Sequence, residues 1–156
     1  MKRFENINDL QLEYIDEWIT SVGNQSETQA HKGLEKKLKF NIRIIRGIMR
    51  TANKAHVKVH IHIIPEDHLA VESGLEGEFE LGFMFGVKSL EEYMSFKDRT
   101  WQIDPTLSGT LLSTAYSTAR GIVYSKCQGT SLGTVLLPII SVQDLMDLAD
   151  SGQNYQ

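Results

Sequence analysis

The stretch DPTLSGTLLSTAYSTARGIVYSKC, residues 104–127, decides how the rest of the chain is read. Asp104 is a residue type that caps helices and Pro105 suits the first helical position, so a helix is expected to start here and run to about Cys127. At about 100° per residue, Leu107, Leu111, Leu112, Ala115, Tyr116, Ala119, Ile122 and Val123 share half of the wheel, a face made to lie on a sheet. The opposite half carries Gly109, Thr110, Ser113, Thr114, Ser117, Arg120, Gly121 and Tyr124, with a single charge. Ordinary exposed faces are rich in Glu and Lys, whereas small uncharged residues admit a second backbone. Gly109, Ser113, Ser117, Arg120, Gly121 and Tyr124 are therefore expected to form a helix–helix contact between subunits related by a twofold axis.

Upstream of the helix the apolar period changes from helical to alternating. Leu38, Phe40, Ile42 and Ile44 interleave with Lys39, Asn41 and Arg43, and Val57, Val59, Ile61 and Ile63 interleave with His56, Lys58, His60 and His62 up to Pro65. A turn at Thr51 to Lys54 joins these two into a hairpin. After an acidic loop with Gly74 and Gly77, Phe79, Leu81, Phe83, Phe85 and Val87 repeat the pattern. Leu10, Leu12 and Tyr14 suggest a first strand, with Glu17, Trp18 and Ile19 free to continue as strand or helix; the polar Ser21 to Glu35 reads as a long crossover loop. The expected fold is α+β: a four-stranded antiparallel sheet covered on one face by the long helix.

Downstream, Val135 to Ile140 with Pro138 is a short extended segment, Ser141 caps a last helix over Val142 to Ala149, and residues 150–156 form a polar, frayed tail. With 156 residues the chain is expected to be one domain, 1–156. Neither a signal-like N-terminus nor an apolar run of about 20 residues is visible, and Cys127 is the only cysteine, so a reducing cytoplasm is the expected location and a disulfide framework is excluded.

The net charge of -4 conceals segregation. Lys36 to Pro65 holds eight Lys or Arg and no acid, while Glu66 to Glu92 holds eight acids against Lys88 alone. One reading is a basic, nucleic-acid-binding sheet face on the second and third strands, but that face lacks aromatic stacking residues. The other, preferred here, is pairing within the sheet between the basic strands and acids such as Glu78 and Glu80. His56, Lys58, His60 and His62 on one strand face also resemble the motif of the histidine-triad nucleotide hydrolases, which would make His60 a nucleophile. The first triad position is Lys58 and about ninety residues follow the motif, so a solvated strand face is preferred. His60 and His62 share a face, yet zinc takes three or four protein ligands, and no metal site, cofactor or catalytic residue is expected; whether His56, His60 and His62 bind a metal is left open.

Leu112 to Met146, LSTAYSTARGIVYSKCQGTSLGTVLLPIISVQDLM, resembles the corresponding segment of SecB-type export chaperones: a long helix with a Tyr-Ala-Arg-like signature (Tyr116, Ala119, Arg120), a Gly-Thr turn (Gly129, Thr130), a Pro-containing extended stretch (Pro138) and a short final helix (Leu145). The order of strand, crossover loop and three further strands agrees with that family. The resemblance implies a cytoplasmic homotetramer, a dimer of dimers with the long helices at its centre, that acts as a molecular chaperone in protein export and translocation and uses no cofactor. It implies that unfolded preproteins or other non-native polypeptide lie in an apolar groove, for which Trp18, Phe40, Ile42, Phe83, Phe85, Val135, Leu137 and Leu145 are the expected contacts. It also implies hand-over to the SecA motor through an acidic sheet surface to which Glu13, Asp16, Glu17, Glu78 and Glu80 would contribute; a dedicated client, such as a toxin of a toxin–antitoxin pair, fits the resemblance equally.

Overall fold

A computed structural model describes residues 1–22, 37–66, 75–152 and 154–155. Strands β1 (Leu10–Val22), β2 (Leu38–Met49), β3 (Lys54–Pro65) and β4 (Gly77–Val87) precede a small hairpin, β5 (Met94–Lys97) and β6 (Thr100–Ile103). Helix α1 (Pro105–Cys127), helix α2 (Val142–Ser151) and the two-residue strand β7 (Asn154–Tyr155) complete the chain. The main sheet has the order β1-β4-β3-β2-β7, and every pairing is antiparallel. The expected α+β architecture, four strands under one long helix with a short C-terminal helix, is what the chain adopts. Two details were not expected: the β5–β6 hairpin, and the tail, which pairs with β2 through Ile42↔Tyr155 and Arg43↔Asn154.

The inner face of the sheet is dry because β-branched and aromatic side chains alternate there without interruption. Val57, Val59, Ile61 and Ile63 of β3 and Phe79, Leu81, Phe83 and Phe85 of β4 are buried, as are Ile42 and Ile44 of β2. Leu107, Leu111, Leu112, Ala115, Ala119 and Val123 of α1 cover them, as the helical spacing predicts. The helix start is fixed by the buried Asp104, whose carboxylate accepts from Leu107 N at 3.0 Å and from Phe4 N at 3.1 Å, so one side chain caps the helix and anchors the N-terminal segment. Cys127 is buried in the last turn, and burial pushes its thiol up to about 11.

β1 stays a strand past Tyr14, and its pairing with β4 shifts register between Leu12 and Tyr14 and again between Ile19 and Ser21. Each bulge adds a residue to β1, and the first moves the inward parity from Leu10 and Leu12 to Ile15 and Ile19. Trp18 is carried to the outer face opposite Glu80, and Glu17 to the inner edge, where it meets Lys126 of α1 at 3.3 Å.

Candidate functional site

The corner where α1, the segment 134–140 and α2 meet is built from a few directed bonds. Tyr116 and Arg120 lie one helical turn apart on α1. The Tyr116 hydroxyl donates to the Pro138 carbonyl at 2.8 Å, and Arg120 Nε donates to the Leu137 carbonyl at 3.2 Å. Burial pushes the Tyr116 phenol up to about 12; the Arg120 guanidinium opposes that shift and the Tyr155 phenol adds to it. Thr130 Oγ1 donates to the Cys127 carbonyl at 2.7 Å, closing the turn after α1. Ser141 Oγ accepts from Asp144 N at 3.1 Å and donates to Asp144 Oδ2 at 2.6 Å, which starts α2.

Held this way, the segment divides its apolar residues between two environments. Val135, Leu137 and Ile140 are buried with Leu145 and Leu148 of α2, whereas Leu136 is 68% exposed, Ile139 84% and Val142 47%. A run of apolar residues from Val135 to Ile140 in an extended chain cannot turn all its side chains inward, so some of this exposure was legible in the sequence. Leu136, Ile139 and Val142 are nonetheless residues that the sequence reading did not single out.

Of the eight residues expected to receive polypeptide, Ile42, Phe83, Phe85, Val135, Leu137 and Leu145 are buried in the core, and Phe40 is half-buried against it. The physical reason is that α1 already covers Phe83 and Phe85 on β4, while the segment 134–140 and α2 close the β2 margin of the sheet that α1 alone would leave open. Trp18 is exposed, but on the outer face, away from this corner, because of the β1 bulge between Leu12 and Tyr14. The expected crossover loop falls, after Val22 and up to Glu35, outside the described residues.

The small-residue face of α1 divides in two. Gly109 is buried beneath α2, where a Cβ would lie 2.7 Å from Val142 Cγ1, so its missing side chain permits a close approach within the chain. Arg120 is likewise half-buried and committed to Leu137. Ser117, Gly121 and Tyr124 are exposed and Ser113 half-buried. Beside them lies a shallow hollow lined by Glu17, Ser117, Thr118, Gly121, Ile122, Ser125 and Lys126.

On the outer face of the sheet, basic β3 pairs with acidic β4 as the charge pattern suggested. Lys58 Nζ lies 3.5 Å from Glu80, His60 Nε2 lies 3.0 Å from Glu78, and His62 bonds Glu76. The His56 ring lies over Gly47 of β2, a space that a Cβ at this position would fill. Lys54 meets Glu13 at 2.7 Å, which holds its ammonium above the ordinary lysine range. Among the described residues no group of three or more His, Cys, Asp or Glu is placed to hold a metal ion. The face does carry two exposed aromatics, Tyr14 and Trp18, both on bulged β1. No helix among the described residues is long and apolar enough to cross a membrane.

No known protein-family pattern matches the chain, and neither does any curated protein. Among solved structures, the chain is similar to the Mycobacterium tuberculosis Rv1957 SecB-like chaperone in complex with a ChAD peptide from the Rv1956 HigA1 antitoxin, with a TM-score of 0.49 and 13% identity over 86% of this chain and 89% of that one.

Proposed function

We propose that this chain is a SecB-like chaperone that holds non-native polypeptide through apolar contact, without a chemical step. The observation that carries the reading is the exposure of Leu136 and Ile139 on a segment whose carbonyls are tied to α1 by Tyr116 and Arg120, with Val142 exposed beside them at the start of α2. A fixed scaffold that holds large aliphatic side chains in water marks a surface for another chain, and apolar burial at ~25 cal/mol per Å² rewards area rather than a particular sequence. The Tyr116, Ala119, Arg120, Gly129, Thr130 and Pro138 signature supports it, because its Tyr and Arg make the bonds that shape the segment. The receiving residues are thus the outward ones of the segment, where the sequence resemblance implied inward ones.

The open part of the α1 face, Ser113, Ser117, Gly121 and Tyr124, is proposed as the contact between subunits of a dimer of dimers. Ser117→Arg, on an exposed position that the fold itself does not need, lowers the mass in solution if so. Export through SecA in the cytoplasm and service to one dedicated client are both compatible with this surface.

The deciding experiment is suppression of aggregation of a slowly refolding protein by the parent and by Leu136→Ser combined with Ile139→Ser. Neither side chain is buried, so stability should stay within about 0.5 kcal/mol of the parent while holding is largely lost. A folded, correctly assembled double variant that holds the client as well as the parent overturns the reading.

A further inference from the structure

The two outer strands of the four-stranded sheet, β1 and β2, are built differently. β1 is interrupted by two bulges and carries Glu13, Asp16 and Glu17, devices that keep another strand from adding to an edge. β2 pairs with β3 in unbroken register over all twelve residues, from Leu38↔Pro65 to Met49↔Lys54. On its other side, among the described residues, only Ile42 and Arg43 are paired, with the chain's own terminal strand.

That strand is tied down lightly and at an informative place. α2 ends at Gly152, whose left-handed backbone (φ 65°) turns the chain back toward the sheet. β7 then contributes two residues, and Tyr155 is half-buried against the core on the inner side, since it faces Ile42. Its phenol adds to the upward shift of the Tyr116 phenol, the group that holds the Pro138 carbonyl.

We infer that β7 is a built-in competitor for polypeptide. Tyr155 occupies, opposite Ile42, the position that an aromatic residue of an extended client segment takes when that segment adds antiparallel to β2. Two ladder pairs and one half-buried phenol make a weak lock, so a client displaces the tail and gains the remaining length of the β2 edge as well as the Leu136 and Ile139 surface. The inference rests on the chaperone reading and adds to it a gate and a preference: extended segments with an aromatic residue, bound at the cost of releasing Tyr155.

Tyr155→Ala should tighten binding, because a competitor that fills the site in the free protein lowers apparent affinity by the fraction of molecules left open, here about three- to tenfold. The measurement is fluorescence anisotropy of a labelled peptide of alternating polar and apolar residues with one central tyrosine, titrated with the parent, Tyr155→Ala and Tyr155→Phe. Tyr155→Phe, which keeps the ring, should bind like the parent. In the absence of peptide, amide hydrogen exchange should quicken in Tyr155→Ala alone at the one of Ile42 and Arg43 whose N–H points to β7, the other N–H being turned to β3. Equal affinity of the parent and Tyr155→Ala, unchanged exchange, or self-association of the variant in place of peptide binding overturns the gate while leaving the chaperone reading standing. Failure of all three proteins to bind the peptide or to suppress aggregation removes both.

Discussion

On β3, Val57, Val59, Ile61 and Ile63 are buried while His56, Lys58, His60 and His62, each one residue away, remain in contact with water. The same alternation separates Phe79, Leu81, Phe83 and Phe85 from Glu78, Glu80, Gly82 and Met84 on β4. One face is held by close packing, which falls off steeply when any side chain is shortened. The other is held by charge pairs that water and salt screen, so its members can be exchanged at little cost. The comparison teaches where change is tolerated: the strands supply a rigid inner surface for α1 and an outer surface that evolution could recharge without touching the fold.

The largest effect that would test this contrast is at the centre of the inner face. Phe83→Ala removes a buried ring opposite Ile15 and Val57 and should cost about 3–5 kcal/mol in chemical denaturation, through lost transfer energy and an unfilled cavity. A cost under 1 kcal/mol would mean that this layer is not close-packed.

A middle-sized effect belongs to Tyr116, at the seam between core and site. Tyr116→Phe deletes the bond to the Pro138 carbonyl and should cost about 1 kcal/mol near neutral pH. The folded phenol titrates at about 12 and the unfolded one near 10. The unfolded chain therefore releases its proton first, and stability falls as pH rises from about 10 to about 12. Denaturation midpoints measured through that range should drop less steeply for Tyr116→Phe than for the parent. Parallel profiles would show that the phenol is not held protonated by its surroundings.

The smallest effect is expected on the outer face. Lys58→Ala breaks the exposed 3.5 Å pair with Glu80 and should change stability by no more than about 0.5 kcal/mol, less still in high salt. A loss approaching that of Phe83→Ala would abolish the distinction between the faces.

How much of this was legible in the sequence follows from which forces are local. The period-2 runs of β2, β3 and β4 and the Asp104–Pro105 start of α1 depend on neighbouring residues, and they predicted these elements closely. The fate of Trp18 depended on the bulge between Leu12 and Tyr14, whose cause lies in the pairing with β4, so no alternation count could place it. Ile42, Phe83, Phe85, Leu137 and Leu145 were correctly seen as apolar, but β4 carries Phe83 and Phe85 beneath α1, and only Ile42, Leu137 and Leu145 lie at the β2 margin. Whether that margin stays open was decided by two distant hydrogen bonds, from Tyr116 and Arg120, which fold the segment 134–140 over it. Gly109 and Gly121 look alike in sequence, yet α2 covers one and leaves the other bare.

Cys127 gives the molecule a chemical clock. Its thiol is buried in the last turn of α1 and stays protonated at neutral pH, so a thiol-directed reagent finds almost no thiolate while that turn is intact. Labelling then proceeds only from molecules in which the end of the helix has opened, and its rate counts those openings. Because the turn is followed directly by the Thr130 bond and the segment that bears Leu136 and Ile139, the unmodified protein carries its own reporter of how often that surface lets go of α1.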